Sequence, residues 1–235
     1  SRYYDDKTTP RPESLREDLE TSVRASHREP ARLYLHLRAA AESGWDFSSR
    51  WFLDPHDITT IHTADMVAID LNCLLYTLEM TIADAYRSLL QPLLAKRFER
   101  YADQREAAIQ RYCWSEAEKR YGDYNFHHQE MTHSLNLAMV FPLYVGIASD
   151  EQAHHVANML KKDFLRPGGL VTTLVDNGQQ WDAPNGWAPL QWVAIQGLKN
   201  YGYNDLADEI TRRWLVVNER VFADKQKMIE KYNVV

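Results

Sequence analysis

Pro92-Leu-Leu-Ala-Lys-Arg-Phe-Glu-Arg-Tyr-Ala-Asp-Gln-Arg-Glu-Ala-Ala-Ile-Gln-Arg-Tyr112 decides the fold class. Its apolar residues Leu93, Leu94, Phe98, Tyr101, Ala102, Ala108, Ile109 and Tyr112 recur near the helical period, with charges between them. That is the pattern of a helix with one face on a core. The same reading extends in both directions, with helices expected at about 11–27, 30–42, 65–90, 92–113, 131–147, 150–165, 187–201 and 204–231. Arg11-Pro-Glu-Ser opens the first, with acidic residues in its first turn where the macrodipole favours them. Pro30 suits the start of the second, and Gly44 terminates it. Pro142 should kink or start a helix within Met139-Val-Phe-Pro-Leu-Tyr144. Strand alternation is nearly absent. Only Gly169-Leu-Val-Thr-Thr-Leu-Val175 reads as an extended segment. The expected fold class is all-α.

Composition narrows the function. The 235 residues suffice for one sizeable core or two small ones. Acidic residues outnumber basic ones, 33 against 27, for a net charge of −6, which disfavours nucleic acid and anionic membrane surfaces as partners. No apolar run approaches the ~18 residues needed to cross a bilayer. Ser1-Arg-Tyr-Tyr-Asp-Asp is polar and charged, unlike a signal peptide. Cys73 and Cys113 stand alone in helical patterns, arguing against a disulfide framework or a cysteine metal site. His62, His133 and the pairs His127-His128 and His154-His155 lack the i,i+4 spacing and carboxylate partners of a zinc site, so no metal or cofactor is expected.

A second stretch carries the chemistry: Gln180-Trp-Asp-Ala-Pro-Asn-Gly-Trp-Ala-Pro-Leu-Gln-Trp192, preceded by Pro167-Gly-Gly169. Core helices are written with Leu, Ile and Ala, and plain loops do not use large aromatics. Indole faces beside fixed polar groups suit a sugar ring, whose C–H faces stack while its hydroxyls take directed hydrogen bonds. A turn whose tryptophans plug the end of a helical domain fits the same residues. Among the acids, Glu99, Asp103, Glu106 and Glu118 lie on polar helix faces, whereas Asp46 sits in a loop between Trp45 and Phe47. Apolar surroundings raise a carboxyl pKa, as a general acid requires. Capping of a helix start at Ser48-Ser49 is the competing role for Asp46.

Gln180-Trp-Asp-Ala-Pro-Asn-Gly-Trp-Ala-Pro189 closely resembles a signature of the trehalases, inverting glycoside hydrolases that split α,α-trehalose into two glucoses. Ser1-Arg-Tyr-Tyr-Asp-Asp6, Arg11-Pro-Glu13, Ser43-Gly-Trp-Asp-Phe-Ser-Ser-Arg-Trp51, Ile69-Asp-Leu-Asn72, Pro167-Gly-Gly169 and Glu230-Lys-Tyr232 resemble further landmarks of that family, in its order. The likeness covers essentially the whole chain and is closest to the bacterial periplasmic type. It implies an (α/α)6 barrel, a six-hairpin toroid, of which this chain would be roughly the second half. Residues 1–235 would then be the C-terminal portion of a single catalytic domain. The family's upstream signature and its downstream glycine-rich lid are not in the chain, so the rest of a trehalase would be needed to complete the barrel. A periplasmic location is implied as well, with any signal peptide lying outside this chain.

The resemblance also implies roles. Asp46 becomes the catalytic acid. Glu230 becomes the base, although by its context alone it is a surface residue beside lysines, expected at the end of a charged helix. Inversion requires the two carboxyls to lie about 6.5–9.5 Å apart, leaving room for a water. Arg11, Pro12 and Glu13 match a substrate-contacting triplet: Arg offers a rigid fork of donors and Glu accepts from hydroxyls. Gly44 permits close backbone approach to the sugar, and Gln180 and Trp181 supply a hydrogen bond and stacking. Trp187 serves either as a stacking face or as a plug beneath the loop. The expected ligand is a small disaccharide. Two other readings stay open: another (α/α)6 glucosidase, and a helical carbohydrate-binding or interaction module that does not cleave.

Overall fold

The computed structural model describes residues 1–235, and its backbone is dominated by eight α-helices. Helix α1 (Leu15–Arg24) follows a 3-10 turn at Pro12–Ser14, and α2 (Pro30–Ser43) begins on its proline and ends at Gly44, whose φ of 77° lies in the left-handed region. A short strand β1 (Met66–Val67) precedes α3 (Ile69–Ser88), which turns through three residues into α4 (Pro92–Tyr112). These two long helices pack along each other as a hairpin. Four two-residue strands follow: β2 (Trp114–Ser115), β3 (Arg120–Tyr121), β4 (Tyr124–Asn125) and β5 (Glu130–Met131). They form the antiparallel ladders β2-β3 and β1-β4-β5.

The helix expected at 131–147 is largely not there. Asn136 instead caps a 3-10 turn at Leu137–Val140 by accepting from the Ala138 N–H, and only Phe141–Tyr144 (α5) is α-helical, with Pro142 in its first turn. Leu137 through Val140 are all buried, so this run has no polar face. A short apolar run of that kind reads equally as helix or as buried irregular chain. Pairing with a distant segment decides it: the Leu137 N–H donates to the Thr172 carbonyl at 3.0 Å, and Asn136 bridges to Thr173. The extended segment expected at 169–175 is met in part: Gly169–Leu170 is a strand and Thr173 an isolated bridge, with bends at Thr172 and Leu174.

Helix α6 (Asp150–Met159) starts with a full capping box from Ser149 and Gln152, then widens to a π turn at Leu160–Phe164. Strands β6 (Leu165–Arg166) and β7 (Gly169–Leu170) form a hairpin around Pro167-Gly168. Strand β8 (Asn185–Trp187) leads into α7 (Ala188–Asn200), which packs on α5 and on α8 (Asn204–Lys225). The second departure from expectation is here. Helix α8 stops at Lys225, not near 231, with Gln226 left-handed at φ 53°. The chain then bends back as strand β9 (Lys231–Asn233), antiparallel to β8 with Trp187 opposite Lys231 and Gly186 opposite Tyr232. Tyr232 is buried and packs edge-on against Trp214 at 5.1 Å, a tertiary contact that outweighs the helix propensity of Lys227-Met-Ile-Glu230. Gly186 has no room for a side chain, because a Cβ there would lie 2.7 Å from Val234 Cγ1 and 2.9 Å from the Leu170 carbonyl oxygen.

One apolar cluster runs from Ala25 to Val234 and draws on helices α2 to α8. At its centre sits a buried ion network. Arg50 donates from Nη1 and Nη2 to Asp70 at 2.7 and 2.9 Å, and from Nε and Nη2 to Asp123 at 2.8 Å each. Burial alone would lower the Arg50 pKa, but Asp123 and Asp70 hold it above its ordinary value. No helix is long and apolar enough to cross a membrane.

Candidate active site

The loop after α2 presents Asp46. Gly44 turns the chain, Trp45 enters the core at 4% exposure, and the Asp46 side chain stays half-buried. Ser48 caps the following 3-10 turn (Ser49–Trp51) by accepting from the Arg50 N–H at 3.1 Å. The capping role thus belongs to Ser48, and the Asp46 carboxyl is left free of it. The Arg50 guanidinium lies 4.5 Å from the Trp45 ring centroid and 4.1 Å from that of Trp51, so the ion network forms the floor beneath this loop.

The tryptophan-rich stretch closes on the Asp46 loop from the other end of the chain. The Trp181 N–H donates to the Phe47 carbonyl at 3.1 Å, and Gln180 Nε2 donates to the Asp46 carbonyl. Asp182, fully buried, accepts at Oδ1 from the hydroxyls of Ser48 (2.8 Å), Ser49 (2.9 Å) and Thr173 (2.9 Å), and at Oδ2 from the Ser49 N–H (2.7 Å). Three indoles stack here. Trp181 lies parallel to Trp187 within 2° at a centroid distance of 3.8 Å, and within 19° of Trp45 at 5.2 Å. Trp187 is buried and donates Nε1 to the Gln180 carbonyl at 2.9 Å, whereas Trp181 keeps part of its surface open. Trp192 is 59% exposed and takes no part in the stack.

Glu230 arrives by way of β9. It occupies the bend before the strand, and the pairing of Trp187 with Lys231 brings it beside the tryptophan stack. Its side chain is 70% exposed and meets Lys231 Nζ at 3.2 Å. The same Nζ donates to Gln180 Oε1 at 3.1 Å and lies 5.2 Å from the Trp187 ring centroid. Burial pushes the Asp46 carboxyl above the usual carboxylate range. The negative charge of Glu230 adds to that rise, while Arg11 and Lys231 oppose it. Residues far apart in sequence therefore act on one carboxyl.

Arg11 reaches the site from the start of the chain. It is buried, donates from its backbone N–H, Nε and Nη2 to Asp18 at 2.8, 3.1 and 2.7 Å, and lies 4.8 Å from the Phe47 ring centroid. Pro12 and Glu13 follow on an exposed turn that starts at the Arg11 backbone. Arg11, Asp46, Gln180, Trp181 and Glu230 are thus brought together, with Gly44 two residues before Asp46 and with Pro12 and Glu13 exposed beside Arg11.

A trehalase family profile matches residues 1–235, the full length of the chain. The chain belongs to the trehalase family. It is 45% identical over 234 residues to periplasmic trehalases of Salmonella agona and Citrobacter koseri, covering 100% of this chain and 41% of each relative. The chain therefore spans less than half the length of the curated relatives it matches. Among solved structures, the neutral trehalase of Saccharomyces cerevisiae superposes with a TM-score of 0.84 at 27% identity, covering 100% of this chain and 48% of that one. The GH63 mannosylglycerate hydrolase of Thermus thermophilus superposes with a TM-score of 0.63 at 18% identity over 77% of this chain and 43% of that one, a likeness of fold alone. The all-α chain is part of an (α/α)6 toroid of this family.

Sequence reasoning missed three residues that hold this candidate constellation together. Asp182 lies inside the tryptophan-rich stretch, and the hydroxyl pair Ser48-Ser49 beside Asp46 was the available signal for it. Asp18 lies seven residues beyond Arg11, in the first turn of α1, where it reads as an ordinary first-turn acid. Lys231 was read only as a charge neighbour of Glu230.

Proposed function

We propose that the chain is the C-terminal portion of one (α/α)6 catalytic domain that hydrolyses α,α-trehalose to two glucoses with inversion. The observation that carries this reading is geometric: Asp46 lies half-buried beside the tryptophan stack, and Glu230 reaches the same stack through Lys231, which contacts both Glu230 and Gln180. One carboxyl is held toward its protonated form by burial and by the charge of the other, which is exposed beside a lysine. Glycoside hydrolysis needs that division of labour.

In this mechanism Glu230 takes a proton from a water, which attacks one anomeric carbon. Asp46 donates its proton to the bridging oxygen as the glycosidic bond breaks. The attacked glucose leaves as the β anomer and the other as α, because only one centre is inverted. The Arg11 guanidinium, held on two nitrogens by Asp18, directs its remaining nitrogen to sugar hydroxyls, and Glu13 accepts from them. Pro12 fixes the backbone between them. Gly44 lets the sugar approach the main chain, and Gln180 and Trp181 form the wall beside the acid. No cofactor enters these steps. The remaining portion of the toroid completes the pocket, and the periplasm is the expected compartment, as for the relatives.

The test is to mix the full-length protein with trehalose and record the first anomers released by NMR. Equal initial amounts of α- and β-glucose support the reading. Two α products would mean retention and overturn the inverting mechanism. Turnover of another α-glucoside in preference to trehalose would overturn the substrate. Binding without turnover would leave a carbohydrate-binding module.

A further inference from the structure

An exposed lysine next in sequence to a glutamate ordinarily contributes little. Lys231 differs because it has three partners at once. Its Nζ meets Glu230 Oε2 at 3.2 Å, donates to Gln180 Oε1 at 3.1 Å, and lies 5.2 Å from the Trp187 ring centroid. Its backbone is fixed opposite Trp187 in the β8–β9 ladder. Gln180 is held just as firmly: its carbonyl accepts from Trp187 Nε1 at 2.9 Å and Asn185 Nδ2 at 3.2 Å. Its side-chain Nε2 donates to the carbonyl of Asp46. A continuous chain of contacts therefore runs Glu230, Lys231, Gln180, Asp46.

We propose that Lys231 and Gln180 form a positioning bridge that sets the geometry of the two reacting carboxyls with respect to each other. This rests on the reading of Asp46 as acid and Glu230 as base. Lys231 restrains the Glu230 carboxylate from one side and, through the Gln180 amide, restrains the main chain that carries Asp46. Neither residue gives up a proton or an electron pair in the reaction. The Gln180 amide already has both ends engaged within the protein, so its contribution is alignment. The charged groups facing the Asp46 carboxyl are Arg11, Glu230 and Lys231. Loss of the Lys231 cation removes one of the two positive charges among them, which raises the Asp46 pKa.

The experiment uses the full-length protein and its Lys231→Met, Lys231→Arg, Gln180→Leu and doubly substituted (Lys231→Met with Gln180→Leu) forms. Lys231 is one-third exposed, so methionine is accommodated without burying an orphaned charge. Lys231→Met is expected to lower kcat toward ~10²-fold, the scale of a small misalignment of reacting groups. KM changes little, and Lys231→Arg restores most of the rate. The double variant loses no more than the poorer single one, as expected for residues acting as one unit. Carboxyl-carbon NMR titration shows Asp46 titrating at higher pH in Lys231→Met than in the unsubstituted protein. An unchanged kcat, an effect confined to KM, additive losses, or an unmoved Asp46 titration would each overturn the bridge. The titration needs no turnover. An unsubstituted protein inactive on trehalose would refute the functional reading while still testing the bridge.

Discussion

Ser49 gives both its backbone N–H and its hydroxyl to the carboxylate of Asp182, at 2.7 and 2.9 Å, across 133 residues of sequence. That pair joins the Asp46 loop to the tryptophan-rich loop behind the acid itself. The Ser48 and Thr173 hydroxyls complete a set of four donors on one buried carboxyl, and the Trp181–Phe47 main-chain bond runs alongside. The serines after the acid and the aspartate of the signature are therefore one device. It places a half-buried acid beside a stack of indoles through Ser48, Ser49 and Thr173, leaving the Asp46 carboxyl outside the set.

Replacing Asp182 tests that device. Asp182→Asn keeps the shape but turns an NH2 group toward hydroxyl and N–H donors, leaving buried donors without acceptors. Each such orphaned group costs about 1–3 kcal/mol. The expected loss is at least about 2 kcal/mol in urea denaturation, with Ser49→Ala losing less. Unchanged midpoints in both variants would show that the cluster does not hold the loops together.

The Arg50 network makes a larger prediction. Arg50→Met leaves Asp70 and Asp123 buried with their cation gone. Breaking a buried ion pair on one side costs about 3–5 kcal/mol. A melting temperature within a degree or two of the unsubstituted protein would refute it. Because Arg50 also lies over Trp45 and Trp51, the variant should loosen the Asp46 loop, read as faster amide exchange at residues 45–49.

Helix α4 was legible because its apolar spacing is long and its limits are marked, and α2 and α7 because proline and glycine punctuate them. The two misread segments have the opposite character. Leu137–Val140 is apolar on every side, and its conformation is set by Thr172 and Thr173, far along the chain. Residues 226–230 carry good helix formers, yet the burial of Tyr232 against Trp214 pulls the chain into a strand. The site followed the same division. Asp46 announced itself by its aromatic neighbours, whereas Asp182, Asp18 and Lys231 matter through partners that no local pattern reveals.

The raised pKa of Asp46 has signed consequences. Its folded pKa lies above its unfolded value, first through burial and then through Glu230. Its contribution to stability is therefore complete below the ordinary aspartate pKa near ~3.9 and is lost as pH rises through the folded value. Activity should fall on the alkaline side as the acid deprotonates. Asp46→Asn should lower kcat by ~10²–10⁴ with substrate still bound. Near-normal kcat in that variant would remove Asp46 from the mechanism.

Glu230 supplies the sharpest test of the proposed catalytic pair. Its side chain is 70% exposed and its one ion pair is with the adjacent Lys231, so Glu230→Gln should leave stability within about 0.5 kcal/mol. Turnover should nevertheless be lost, because an amide cannot take a proton from the attacking water. In the same variant the Asp46 carboxyl should titrate at lower pH, since a neighbouring negative charge that raises its pKa is gone. Azide needs no base and should restore glycosyl transfer, giving the β-glucosyl product expected from inversion at the attacked carbon. Full activity in Glu230→Gln, or an azide product of retained configuration, would reject Glu230 as the base. The azide arm also separates loss of the base from damage to the site, because a distorted site would not be rescued by a nucleophile that must still find Asp46 in position.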